Sequence, residues 1–153
     1  MPGGVGIMER PRLPHISEDG ATYFVTWCLR RGQPHLSEVE RQLVADALRA
    51  FDGERYNLFA YVVMDDHVHV VVRPLQELGL SQLLHTWKSY TANKLQRSAG
   101  RRGSVWQSRR HDRIIRSETD LWEKIDYVLT NPVRRWGVED YPYAGRGTWP
   151  VGW

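Results

Sequence analysis

Two histidines, His67 and His69, stand one residue apart in the run VVMDDHVHVVV. A strand turns successive side chains to opposite faces, so both imidazoles would project from one face while Val68, Val70 and Val72 line the other. Two neutral imidazoles on one side can share a metal ion, because ligation needs nitrogen donors that converge. Solvated or core histidines show the same spacing. Placement adds weight to ligation: the pair stands in the most hydrophobic stretch of the chain, where unpartnered imidazoles would be costly to bury. Asp65 and Asp66 just before them read as turn chemistry.

A second candidate lies on a helix expected over about 118 to 130, with its apolar stripe at Leu121, Ile125, Val128 and Leu129. Tyr127 falls well over about 100° from the centre of that stripe, off the core side. Asn131 is four residues on, so the two side chains would be near neighbours on one helix face. One reading is an exposed surface tyrosine followed by an Asn helix terminator. The other is a phenol kept out of the core because it reacts.

The 153 residues carry a net charge of +3, and 41% are hydrophobic, as in an ordinary single globular domain. The charge is unevenly spread. Between residues 85 and 116, Lys88, Lys94, Arg97, Arg101, Arg102, Arg109, Arg110, Arg113 and Arg116 face one acid, Asp112. Such a segment calls for a polyanionic partner, nucleic acid first. Arg101 and Arg102, in a Gly-containing loop, could follow a phosphate backbone. Tyr90 and Trp106 could stack bases, with core packing the other fate of Trp106. Cys28 is the sole cysteine, which excludes an internal disulfide and a Cys-rich zinc site. No run reaches the length of a membrane span and the first ten residues lack a signal-peptide core, so the expectation is a cytoplasmic protein.

The elements that must position these residues can be sketched. The first twenty residues read as an irregular arm. A strand is expected over 21 to 30. Ser37 and Glu40 form a capping box for a helix over about 38 to 51. Strands over about 56 to 64 and 67 to 73 are joined by a tight turn. A helix capped by Ser81 follows, then two short extended pieces around VWQ and RIIR. The last helix must end near Asn131, because Pro132 disfavours the helical conformation before it. The order β-α-β-β-α, extended pieces, α predicts an α+β sandwich, an antiparallel sheet covered by helices.

Over roughly residues 10 to 145, the runs YVVMDDHVHVVVRP, WKSYT, VWQ, HDRIIR, IDYVLTNPV and DYPYAG resemble the REP-associated tyrosine transposases, relatives of the HUH single-tyrosine transposases. The resemblance implies a ferredoxin-like antiparallel sheet of the HUH nuclease fold. It implies Tyr127 as nucleophile and His67, His69 and Asn131 as ligands of a divalent ion, Mg²⁺ or Mn²⁺. Lys88 matches a further block of the family pattern. The implied partner is single-stranded DNA folded as a hairpin, bound by a monomer or homodimer; Lys88, Arg101, Arg102, Arg109, Arg110, Arg113 and Arg116 are the candidate DNA contacts. Two departures stand out: Asp65 and Asp66 replace the usual Pro followed by Asn or Glu, and His111 replaces a common aromatic residue. The activity implied is nicking and rejoining of single strands through a 5′-phosphotyrosine. The alternative is a domesticated hairpin-binding protein without cleavage.

Overall fold

The computed structural model describes residues 20–148; apart from Gly20, the expected N-terminal arm lies outside the described residues. Five strands form one antiparallel sheet: β1 (Thr22–Leu29), β2 (Tyr56–Val63), β3 (His67–Pro74), β4 (Trp106–Ile115) and β5 (Ala144–Arg146). Their spatial order is β4-β1-β3-β2-β5. The helices are α1 (Glu38–Arg49), α2 (Leu80–Ala99), α3 (Glu118–Leu129) and α4 (Asn131–Trp136). Through β4 the chain runs β-α-β-β-α-β with strand order 4-1-3-2. This is the ferredoxin-like α+β arrangement, with β5 added at one edge.

Alternation along the strands builds a core on each side of the sheet. On one, Val25, Trp27, Val68, Val70 and Val72 pack against Val44 and Leu48 of α1 and Leu84, Trp87 and Leu95 of α2. On the other, Ala60, Val62, Met64 and Val71 pack against Leu121, Trp122, Ile125 and Val128 of α3. The two faces therefore have different covers: two helices on one, a single helix on the other. The lone helix leaves part of its face open, and the histidines are there.

Local chemistry sets the boundaries. The expected capping box forms: the Glu40 amide donates to Ser37 Oγ at 3.2 Å, and the Ser37 amide donates to Glu40 Oε1 at 2.9 Å. α2 starts earlier than Ser81 would allow. Its N-cap is Gly79, whose amide donates to Gln82 Oε1, and the helix ends at Gly100 in the left-handed conformation that glycine tolerates. The two extended pieces are one ten-residue strand, β4, polar on both faces because it is an edge. Pro132 does stop α3, but it also sits in the first turn of α4. There its missing N–H costs nothing. Among the described residues, no helix is long and apolar enough to cross a membrane.

Candidate active site

Strand register decides which side chains meet. His69 pairs with Thr26 of β1 and Val62 of β2, and Thr26 pairs in turn with His111 of β4. Side chains directly opposite in an antiparallel sheet share a face. His111, Thr26 and His69 thus form a row across three strands on the α3 side, with His67 two residues before His69.

The two imidazole rings lie 4.6 Å apart, centroid to centroid, at 73°. Each is anchored through the same nitrogen. Thr26 Oγ1 is 2.6 Å from His69 Nδ1, and Asp66 Oδ1 is 2.7 Å from His67 Nδ1. With both Nδ1 atoms engaged, the Nε2 atoms are the ones left to bind something else. That is how ligating histidines are held in metal sites. Burial, then the fields of His67 and Arg134, lower the His69 pKa to about 3. Its imidazole is neutral at physiological pH, as ligation requires.

Asp65 and Asp66 do more than turn the chain. Asp66 bonds both His67 and Arg135, the latter at 3.1 Å. Burial pushes the Asp66 carboxyl up, but the bonds from His67 and Arg135 outweigh it and hold the group below the ordinary range. Asp65 pairs with His35 at 3.0 Å. The signal for Asp66 was its adjacency to His67. Thr26 gave none, since only the strand register brings it to His69.

Tyr127 reaches this row from α3. Its ring meets His69 edge-on, with centroids 5.6 Å apart, and Phe24 at 5.9 Å. It is 45% exposed, which keeps one side of the phenol open. Phe24, Thr26, His69, His111, Glu123, Lys124 and Tyr127 line a cleft of about 480 Å³ between α3 and β4. Asn131, four residues after Tyr127, lies beyond the end of α3. Thr130 breaks the helix, and Asn131 opens α4, where it is buried and outside the walls of this cleft. Among the described residues, no three His, Cys, Asp or Glu side chains converge as a metal site. The donor set fits a metal through the two Nε2 atoms; a third protein ligand would have to be an amide oxygen such as that of Asn131.

The expected DNA contacts are scattered. Arg101 needs correction. It is buried, and its guanidinium donates to Glu40 Oε2 at 2.7 Å, Glu40 Oε1 at 2.8 Å, and the carbonyls of Pro34 and His35. It has nothing left for a phosphate. Arg102, Arg109, Arg113 and Arg116 are exposed, although Arg113 bonds both oxygens of Asp120. Arg110 turns to the α2 side, onto Asp112 and Ser81. Lys88 donates to the Gln107 carbonyl at 2.7 Å. Burial, with Arg110 nearby, lowers its pKa. Trp106 is a core residue, its indole N–H donating to Thr91 Oγ1, whereas Tyr90 is exposed.

The family model described as "Transposase IS200 like" matches residues 18–114, well over half of the chain. The chain belongs to the IS200-like transposase family. The matched segment of this transposase holds His67 and His69 and stops short of Tyr127. Alignment to the REP-associated tyrosine transposase of Escherichia coli (strain K12) reaches further: 27% identity over 144 residues, 88% of this chain and 85% of that protein. The solved structure described as a REP-associated tyrosine transposase bound to a REP hairpin superposes with a TM-score of 0.67. It is 25% identical, covering 90% of this chain and 82% of that one. A second solved structure, from Deinococcus radiodurans, shares the fold alone, at 17% identity and a TM-score of 0.54 over 79% of this chain and 95% of that one. The transposase assignment and the fold therefore rest on sequence and on architecture independently.

Proposed function

We propose that this protein nicks and rejoins single-stranded DNA through Tyr127, with a divalent metal held at His67 and His69 and completed by Asn131, acting on hairpins of the REP type. One observation carries the reading: the Tyr127 ring packs against His69, beside His67, and both Nδ1 atoms are anchored, which leaves the Nε2 atoms as the donors for a ligand. A binding module needs no such arrangement.

The chemistry follows from the groups present. A phenol has a reference pKa of about 10 and is a weak nucleophile at neutral pH. His67 and His69 would hold a divalent ion, which when bound would supply Lewis-acid polarisation of the phosphate and stabilise its developing charge. The Tyr127 oxygen attacks phosphorus and loses its proton; the bond from phosphorus to the 3′ oxygen breaks, and that oxygen takes up a proton. The product is a 5′-phosphotyrosine and a free 3′-OH. A second 3′-OH reverses the step and rejoins the strand without an external energy source. The exposed Arg102 and Arg109, with Arg113 and Arg116, add the sequence-independent attraction for phosphate.

The test uses two single-stranded hairpins, labelled 5′ or 3′ of the candidate cleavage point, incubated with the protein and Mn²⁺. Label from the 3′-side fragment should remain covalently attached, and Tyr127→Phe should abolish the adduct. Tight binding without an adduct overturns the enzymatic reading and leaves a hairpin-binding protein. Chelation of the metal should remove the adduct; an adduct that survives it refutes the metal requirement.

A further inference from the structure

Past Tyr127 the chain makes a turn that the proposed reaction does not by itself require. α3 ends at Leu129, Thr130 breaks the helix, and α4 starts at Asn131 with Pro132 in its first turn. The break brings Arg134, seven residues on, back over the tyrosine. Its guanidinium carbon lies 4.2 Å from the centre of the Tyr127 ring. One amino group donates to the Tyr127 carbonyl at 2.7 Å, and the other donates to Thr130 Oγ1. That hydroxyl donates in turn to the Asp126 carbonyl at 2.7 Å. The guanidinium is thus tied directly to the Tyr127 carbonyl and, through the Thr130 hydroxyl, to the Asp126 carbonyl.

The tyrosine needs such a tie. Its ring meets Phe24 and His69 of the sheet edge-on and is 45% exposed. An exposed tyrosine with a free choice of rotamer would divide its time among several staggered positions. A cation over the face of an aromatic ring is attracted by the ring quadrupole, which favours one of them. We infer that Arg134 is a positioning residue, which holds the Tyr127 phenol against the histidine pair by covering its ring while bonded to the Tyr127 carbonyl and Thr130. This rests on Tyr127 being the nucleophile; the ring contact itself does not. Loss of alignment at a reacting atom by about 1 Å can cost about a hundredfold in rate. Lysine could return the cation but not the simultaneous bonds to the Tyr127 carbonyl and the Thr130 hydroxyl, because an ammonium lacks the planar fork.

Two measurements separate this inference from the proposed activity. In protein labelled selectively at its tyrosine and histidine rings, cross-relaxation between the Tyr127 and His69 rings, assigned by its disappearance when Tyr127→Phe places an unlabelled ring there, should be strong in the wild type. It should be lost in Arg134→Ala and partly kept in Arg134→Lys. Persistence of that signal at full strength in Arg134→Ala overturns the inference, whatever the activity. In single-turnover reactions with a hairpin and Mn²⁺, Arg134→Ala should form the adduct about 10- to 100-fold more slowly with hairpin affinity within about threefold of wild type. Arg134→Lys should fall between. A rate loss fully matched by lost affinity makes Arg134 a phosphate contact and refutes positioning. Absence of any adduct in the wild type refutes the proposed activity, while the ring contact still decides Arg134.

Discussion

Replacing Arg101 by methionine should damage the fold and leave the DNA interface alone. Arg101 and Glu40 have side chains only 4% and 10% exposed, and they form a two-pronged ion pair at 2.7 and 2.8 Å. The same guanidinium satisfies the Pro34 and His35 carbonyls and Gln33. Glu40 also closes the capping box of α1. Removing Arg101 strands a buried carboxylate and leaves two carbonyls without donors, a loss of about 3–5 kcal/mol. Total stabilities are about 5–15 kcal/mol, so the variant should be marginal. With a urea slope of about 2 kcal/mol per molar, the unfolding midpoint should drop by about 1.5–2.5 M. Glu40→Met combined with Arg101→Met should regain much of that, because no lone charge is then buried.

Acid titration gives an independent reading of the same pair. The Arg101 bond holds the Glu40 carboxyl below its ordinary range, against burial, with Ser37 assisting. A carboxyl whose folded pKa is depressed contributes stability that is complete above its unfolded value, about 4.3. That stability is lost as pH falls through the lower folded value. Wild type should therefore lose stability between those limits, and Arg101→Met should show a flatter acid limb. A midpoint shift corresponding to less than about 1 kcal/mol, or a loss of hairpin affinity in a fully folded variant, would refute this account of Arg101.

Two further outcomes test the site. Asp66→Ala removes the anchor on His67 Nδ1 and should weaken Mn²⁺ binding about 10- to 100-fold by calorimetry; unchanged affinity would mean that Asp66 does not orient a ligand. Arg102→Ala should lower the salt dependence of hairpin affinity by about one counterion without destabilising the fold, and an unchanged slope would remove Arg102 from the interface.

The contrast between Arg101 and Arg102 shows where sequence reading stops. Composition places both in a basic loop; only the packing of that loop on α1 separates a buried ion pair from an exposed cation. The first three strands were legible because β-branched and aromatic residues mark them, and period two alone sets both imidazoles on one face of β3. β4 reads as two fragments because an edge strand exposed on both faces shows no alternation. α4 was hidden by Pro132, whose ring stops one helix while its missing N–H is tolerated in the first turn of the next. Thr26 depends on a pairing 43 residues apart in the chain, and nothing local announces it.

The off-centre position of α3 explains why a cleft exists at all. The helix packs on β2, β3 and β5, so the β1 and β4 side of that face stays accessible, with Phe24, Thr26 and His111 on the cleft wall. Neighbouring residues of β4 then belong to different worlds. His111 faces the cleft, while Arg110 turns to Ser81 on the α2 side. On the proposed reading, a scissile strand lying in this cleft passes the first and not the second. With a short single strand lacking any hairpin, His111→Glu should weaken binding about tenfold, since a carboxylate facing a phosphate across a partly solvated cleft costs on the order of 1–2 kcal/mol. Arg110→Glu should change it less, although it reverses a full charge. If Arg110→Glu proves the more damaging, the strand runs along the α2 side, and the route to Tyr127 argued from this cleft is wrong.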